Sequence, residues 1–140
     1  MRRGPEGERG GSAVEFALVL PVLMLILFAI LEYGWYMTHQ LTLANAVAAG
    51  ARAGVKVRDW DPENPGDPEE EARRVVREGF WLFDLPEGNI QTDAEVRLGP
   101  SGARMLEVKV VDLSFRSLTG YLPDSLLPRR LSAKSLSAFP

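Results

Sequence analysis

From Phe16 to Leu31 the chain carries no charged residue, and that run constrains what the rest can become. A helix needs roughly 20 apolar residues to cross the hydrocarbon of a bilayer. Ala13 to Met37 supplies them, with Glu15 near one end and Glu32 near the other. Tyr33, Trp35 and Tyr36 cluster at the far end, where aromatic rings favour the headgroup level. Glu32 and these three rings are therefore expected at the membrane interface, with membrane lipid among the chain's partners. Pro21 predicts a kink or local loosening, because it removes one helical hydrogen bond; membrane helices tolerate this where neighbours re-satisfy the freed carbonyl. Met1 to Gly10 is polar and glycine-rich, too short and too polar to fold. Its Arg2, Arg3 and Arg9 predict a cytoplasmic N-terminus, with the bulk of the chain on the other side.

Glu15 sits inside the start of this segment. An ionised carboxylate in hydrocarbon costs on the order of a few kcal/mol, so it needs the interface or a partner. One reading is an interfacial Glu at a helix start, where the macrodipole favours negative charge. The other gives it an amine. Cleavage after Gly10 would free the amino group of Gly11, four residues before Glu15, and in an assembly one subunit's carboxylate meets its neighbour's amine.

Gly10, four further residues, Glu15-Phe16 and a long apolar helix together resemble the class III signal of type IV pilins. The continuation Ala13-Val14-Glu15-Phe16-Ala17-Leu18-Val19-Leu20-Pro21 is similar to TadE-like proteins, the pseudopilins of tight-adherence (Flp) pilus systems. Glu32-Tyr33-Gly34 and Ala49-Gly50-Ala51-Arg52-Ala53-Gly54 are similar to that family too. The resemblance covers about the first 55 residues. It implies processing by a prepilin peptidase between Gly10 and Gly11, with Glu15 and Phe16 at positions +5 and +6. It also implies a bacterial inner-membrane location, and partners among other pilins or pseudopilins, through the N-terminal helix, and the inner-membrane assembly machinery. The implied role is pilus biogenesis rather than bulk pilin.

Past Met37 helical character continues to Val57 through an alanine-rich stretch without proline. Leu41, Ala44, Ala48 and Ala51 are read as one face, with Val47–Ala51 as a second pair. That thin surface permits close helix approach, either to partner helices in a filament or to the chain's own domain. His39 is read as a polar interfacial residue. Residues 58–68 form an acidic, Pro-rich linker, better suited to solvent than to an EF-hand cation site.

Residues 69–140 are expected to form a small exported α+β domain. Asp67 as N-cap and Pro68 at N1 start a second helix, which should end near Asp84. Glu69–Arg73 and Glu70–Arg74 are i, i+4 pairs on its solvent flank; Ala72, Val75, Val76, Phe80 and Phe83 form its apolar face. Asn89 to Leu98 alternates as a half-buried strand, with Ile90, Ala94, Val96 and Leu98 on one face. Gly99 to Gly102 is a turn, and Arg104 to Phe115 a return strand with Leu106, Val108 and Val110 inward and Glu107 and Lys109 outward. Arg116 to Pro128 is an unusually apolar loop, folding over the hairpin or offering a contact surface. Arg130 to Phe139 is the candidate third strand that a lone hairpin needs. The fold class is thus α+β: a long N-terminal transmembrane helix, an amphipathic helix and a short antiparallel sheet of two to three strands, pilin-like in outline.

The sequence carries no nucleophile elbow, phosphate loop or dinucleotide fingerprint, and no enzyme activity, metal or cofactor is expected. The net charge of -3 is scattered, unlike the basic stripe of a nucleic-acid surface. With no cysteine and one histidine, thiolate and histidine-rich sites are excluded. Two rivals stand beside the pseudopilin reading. One is an unprocessed bitopic scaffold protein of a secretion complex. The other is a secreted binding domain released at Ala46-Val47-Ala48, an A-x-A-like site.

Overall fold

A computed structural model describes residues 6–57, 65–80, 91–100, 102–121 and 125–140 of the chain. Helix α1 runs unbroken from Glu6 to Gly54, a length of roughly 73 Å at 1.5 Å per residue. It therefore begins inside the polar N-terminal stretch, four residues before Gly10. Once a strong helix exists, each added residue fixes only its own dihedrals and gains a bond, so the start propagates outward. At the other end the helix stops at Gly54, and Val55 to Val57 continue as turns, with Lys56 N–H and Val57 N–H donating to the carbonyls of Ala53 and Gly54.

Helix α2 spans Pro68–Glu78. Asp67 Oδ1 accepts from the Glu69 and Glu70 amides at 2.9 and 3.2 Å, the N-cap its sequence announces. The helix closes at Gly79, short of the expected Asp84: the Gly79 N–H turns back to the Val75 and Val76 carbonyls. A side chain at Gly79 would also strike Ala46 of α1, 2.7 Å from the Cβ position. Phe83 and the remainder of the expected helix lie outside the described residues, as do Ile90 and most of the acidic linker.

Strands β1 (Thr92–Leu98), β2 (Arg104–Ser114) and β3 (Arg130–Ala138) form an antiparallel sheet in the order β1-β2-β3. The turn between β1 and β2 has Gly102 at φ +76, which glycine adopts without steric cost. Leu106, Val108 and Val110 point into the core, as expected, whereas Leu98 ends β1 in solvent, 75% exposed. Between Val110 and Leu113 the register slips by one residue, with Asp112 at φ +58; Asp tolerates the left-handed region better than most residues. This bulge reverses the alternation, so Leu113 and Phe115, rather than Asp112 and Ser114, join the core side.

The core lies between this sheet, α2 and the C-terminal half of α1. It contains Leu43, Val47 and Ala51 of α1, Ala72 and Val76 of α2, and Leu106, Val108, Val110 and Leu131 of the sheet. The buried face of α1 thus differs from the expected one: Leu41 and Ala44 are exposed, and the stripe instead runs Leu43, Ala46, Val47, Gly50, Ala51, Gly54. Gly50 and Gly54 decide this. A Cβ on Gly50 would lie 2.5 Å from Val76 Cγ2 and 2.8 Å from the Ala72 carbonyl oxygen, and one on Gly54 would overlap Leu106. The small-residue strip is consumed by the chain's own α2 and sheet.

Both sheet edges are tied to helices. Glu69 and Arg73 form their ion pair at 3.3 Å, but they are not merely a solvent flank. Glu69 Oε1 accepts from Val96 N–H and Arg73 Nη2 donates to the Ala94 carbonyl, both at 3.2 Å. These bonds occupy backbone groups that an edge strand otherwise leaves open to pairing. At the other edge Gln40 Nε2 donates to the Ser132 carbonyl at 2.9 Å. The expected Glu70–Arg74 pair is replaced by Arg74 bridging Glu71 and Glu78 at 2.6 and 2.7 Å.

Candidate functional site

The candidate site is α1 itself, read upward from its N-terminus. Gly10 and Gly11 are exposed, and nothing lies within 4 Å of a Cβ built on either. Glu15 and Phe16 stand exposed on the first apolar turns. From there to Leu31 the side chains face outward almost without exception, and none of the most apolar stretch is buried inside the protein. Pro21 sits within the continuous helix. By length and composition this helix is a candidate membrane span.

The environment changes at Glu32, whose side chain is fully buried. Its Oε1 accepts from the Leu118 N–H at 2.7 Å, and its Oε2 accepts from the Thr119 N–H at 3.0 Å and from Thr119 Oγ1 at 2.7 Å. Thr119 Oγ1 in turn accepts from the Tyr121 N–H at 3.2 Å, and Gly120 turns the chain at φ +66. Successive amides converging on one carboxylate form an anion-holding nest. A hydrogen bond to a charged group contributes about 1.5–3 kcal/mol, so this is a firm attachment of the 115–121 segment to the helix.

The neighbouring contacts follow the helix in order. Tyr121 packs on Phe28, ring centroids 5.0 Å apart. Phe115 meets Tyr36 edge-on at 5.3 Å and His39 at 5.6 Å. His39 is therefore buried rather than an open interfacial residue, with its Nδ1 donating to the Trp35 carbonyl at 2.9 Å. The aromatic cluster is divided: Tyr33 faces out, Tyr36 packs against the core, and Trp35 is half-buried against His39.

The four residues expected at the membrane interface thus share one stretch of α1, but Glu32 is covered by protein. Leu118, Thr119, Tyr121 and Phe115 are the partners that sequence reasoning missed. One signal did point to them. A carboxylate next to an apolar run needs donors, and Leu118-Thr119-Gly120-Tyr121 is an apolar loop with turn chemistry and backbone amides to offer.

On the outer sheet face, charges neutralise one another. Glu107 faces away from the core as expected, yet is nearly buried, between Lys134 at 3.0 Å and Arg97 at 3.6 Å. The Lys134 ammonium and then the Arg97 guanidinium hold its carboxyl below the ordinary carboxylate range against the opposing effect of burial. Asp93 meets Lys109 at 3.3 Å. Among the described residues no group of His, Asp and Glu is arranged to hold a metal ion.

No curated protein and no solved structure shows a match to this chain. A family model does: that described as TadE-like protein matches residues 10–52, from the first glycine of the candidate cleavage pair almost to the end of α1. Over those residues, which make up most of α1, the chain is similar to the TadE-like protein family.

Proposed function

We propose that this protein is a membrane-anchored pseudopilin-like subunit in the assembly of a tight-adherence pilus. The observation that carries the reading is the division of α1: its family-matched helix leaves an apolar first half uncovered while the second half is occupied by the chain's own small domain. An uncovered apolar helix suits a bilayer before assembly and a bundle of like helices after it. In this reading residues 1–10 are the cytoplasmic leader, 11–57 the anchor helix, 58–68 the linker and 69–140 the exported domain. A prepilin peptidase removes Met1–Gly10. Glu15 then compensates the new amine on Gly11 of a neighbouring subunit and sets register, a use of buried polar groups known from other assemblies. Phe16 packs beside it.

Two structural features weigh on the rivals. Ala46 and Val47 belong to the buried stripe, so release at Ala46-Val47-Ala48 would strip Leu43 from the core, which disfavours the secreted domain. The scaffold reading draws support from α1 being helical through Gly10 and Gly11, since a peptidase must unwind that bond. Two adjacent glycines ease this, each costing a helix about 1 kcal/mol relative to alanine.

The test is the intact mass and N-terminal residue of the chain from membranes with and without the peptidase. A chain starting at Gly11 only when the peptidase is present is the expected result, with Glu15→Ala then blocking assembly. An uncut chain under both conditions would favour the scaffold, and one starting at Ala49 the secreted domain.

A further inference from the structure

The loop between β2 and β3 descends along α1 in register. Phe115 contacts Tyr36 and His39, Leu118 and Thr119 bind Glu32, and Tyr121 stacks on Phe28. From Tyr36 to Phe28 this is a descent of roughly 12 Å at 1.5 Å per residue. Measured from Ala13 at the same rise, a hydrocarbon core of about 30 Å ends close to Glu32. The loop therefore reaches the bilayer boundary. Its side chains are sorted accordingly: Leu118 and Tyr121 are exposed, while Arg116 and Arg129 are exposed beside Phe115, one to two turns further out.

We infer that the 116–121 segment is a second membrane-contact element, seated in the outer boundary of the bilayer and latched to the anchor helix by Glu32. Leu118 and Tyr121 enter the edge of the hydrocarbon, continuous with the apolar face of α1. Arg116 and Arg129 stand at headgroup level, where anionic phosphates lie. The latch explains why a carboxylate belongs at this depth. The Leu118 and Thr119 amides must leave water for the loop to dip, and an unpaired amide in an apolar medium costs several kcal/mol; Glu32 supplies their acceptors. The inference rests on the membrane placement of α1 in the proposed function, but on neither cleavage nor assembly.

The chain has no cysteine, so single substitutions accept an environment-sensitive fluorophore cleanly. Leu118→Cys, Leu23→Cys in the span and Arg52→Cys far out on α1 are labelled in the full chain. Each is reconstituted in phosphatidylcholine–phosphatidylglycerol vesicles and challenged with shallow spin-labelled lipid and with aqueous iodide. Blue-shifted emission at position 118, lost to the lipid quencher and protected from iodide, with position 52 behaving oppositely, is the expected result. Adding Glu32→Ala should return the 118 probe to iodide and leave the 23 probe unchanged; persistence of lipid quenching at position 118 would overturn the latch. A water-exposed 118 beside an iodide-protected 23 would overturn the loop's insertion. Shielding from both quenchers would overturn it in favour of a protein contact. A 23 probe open to iodide would overturn the membrane placement itself, a distinct failure.

Discussion

Between Gly10 and Leu31, α1 turns nearly every side chain outward, whereas between Glu32 and Gly54 one stripe of the same helix lies under α2, the sheet and the 115–121 loop. The backbone is continuous across the change; the side-chain pattern is not. The first half is apolar on all faces, so no single face is preferred, the pattern of a helix surrounded by other helices or by lipid. Past His39 the covered stripe of the second half carries Leu43 and Val47 and places glycine or alanine where α2 and β2 approach. The two carboxylates follow the same division. Glu15 stands in the uncovered half, and Glu32, at the junction, is wrapped by donors from the domain. A helix can thus serve two environments in series, provided that its apolar surface changes from a full ring to a stripe at the boundary.

The most forceful way to break this comparison is to place the same charge in each half. Leu43→Asp buries an unpaired carboxylate, a cost of about 3–5 kcal/mol, and should unfold the 65–140 domain while leaving membrane insertion intact. Leu23→Asp, near the middle of the span, costs insertion about 2.5–3.5 kcal/mol and should leave the domain folded. Circular dichroism with protease protection, set beside membrane fractionation, separates the two outcomes. If both substitutions impaired the same property, the division would be wrong.

Truncation sharpens the same contrast. Leu43 is fully buried and Leu23 is 50% exposed. Leu43→Ala should destabilise the domain by about 2–5 kcal/mol in denaturant titrations, and Leu23→Ala should change it by no more than about 0.5 kcal/mol. Asp67→Ala removes the acceptor for the Glu69 and Glu70 amides and should cost about 1 kcal/mol. It should loosen α2 from the stripe, seen as faster amide exchange in α2 without any change in the first half of α1.

The smallest expected effect is a pH dependence confined to the domain. Glu107's carboxyl is held below its ordinary value by Lys134 and Arg97. The unfolded chain then binds the proton more readily than the folded one, so the stabilisation is full above the unfolded value of about 4.3 and is lost as pH falls through the lower folded value. Glu107→Gln should remove a small stabilisation that is present at neutral pH, flatten the acid limb of the domain's stability profile below about pH 4.3, and leave stability at the lowest pH nearly unchanged. An unaltered acid limb would mean that the pairing carries no net stability.

Much of this architecture was legible in one dimension because its determinants are local. The apolar run, the Asp67-Pro68 cap, the Gly99–Gly102 turn and the alternation of Leu106, Val108 and Val110 each act within a few residues. The expected helix end near Asp84 failed because Gly79 closes α2 by hydrogen bonding backward, supported by its close approach to Ala46. Choosing Leu41 and Ala44 for the packed face failed because a helix offers several apolar faces, and which one is covered depends on where α2 and the sheet arrive. Likewise the Glu69–Arg73 pair looked like a solvent flank until β1 lay beside it.

By itself, then, the sequence determined a long apolar helix with Glu15 at its start, a capped second helix, a hairpin, a candidate third strand and the resemblance that the match over residues 10–52 supports. Those follow from periodicity, capping and hydropathy, which need no distant partner. Only the tertiary structure decided that Glu32 is buried by amides 86 and 87 residues away, that the bulge at Asp112 turns Phe115 toward His39, and that Gly50 and Gly54 serve α2 and the sheet. Each of these depends on long-range closure, in which two segments with no local reason to meet are brought together by the burial of a common core.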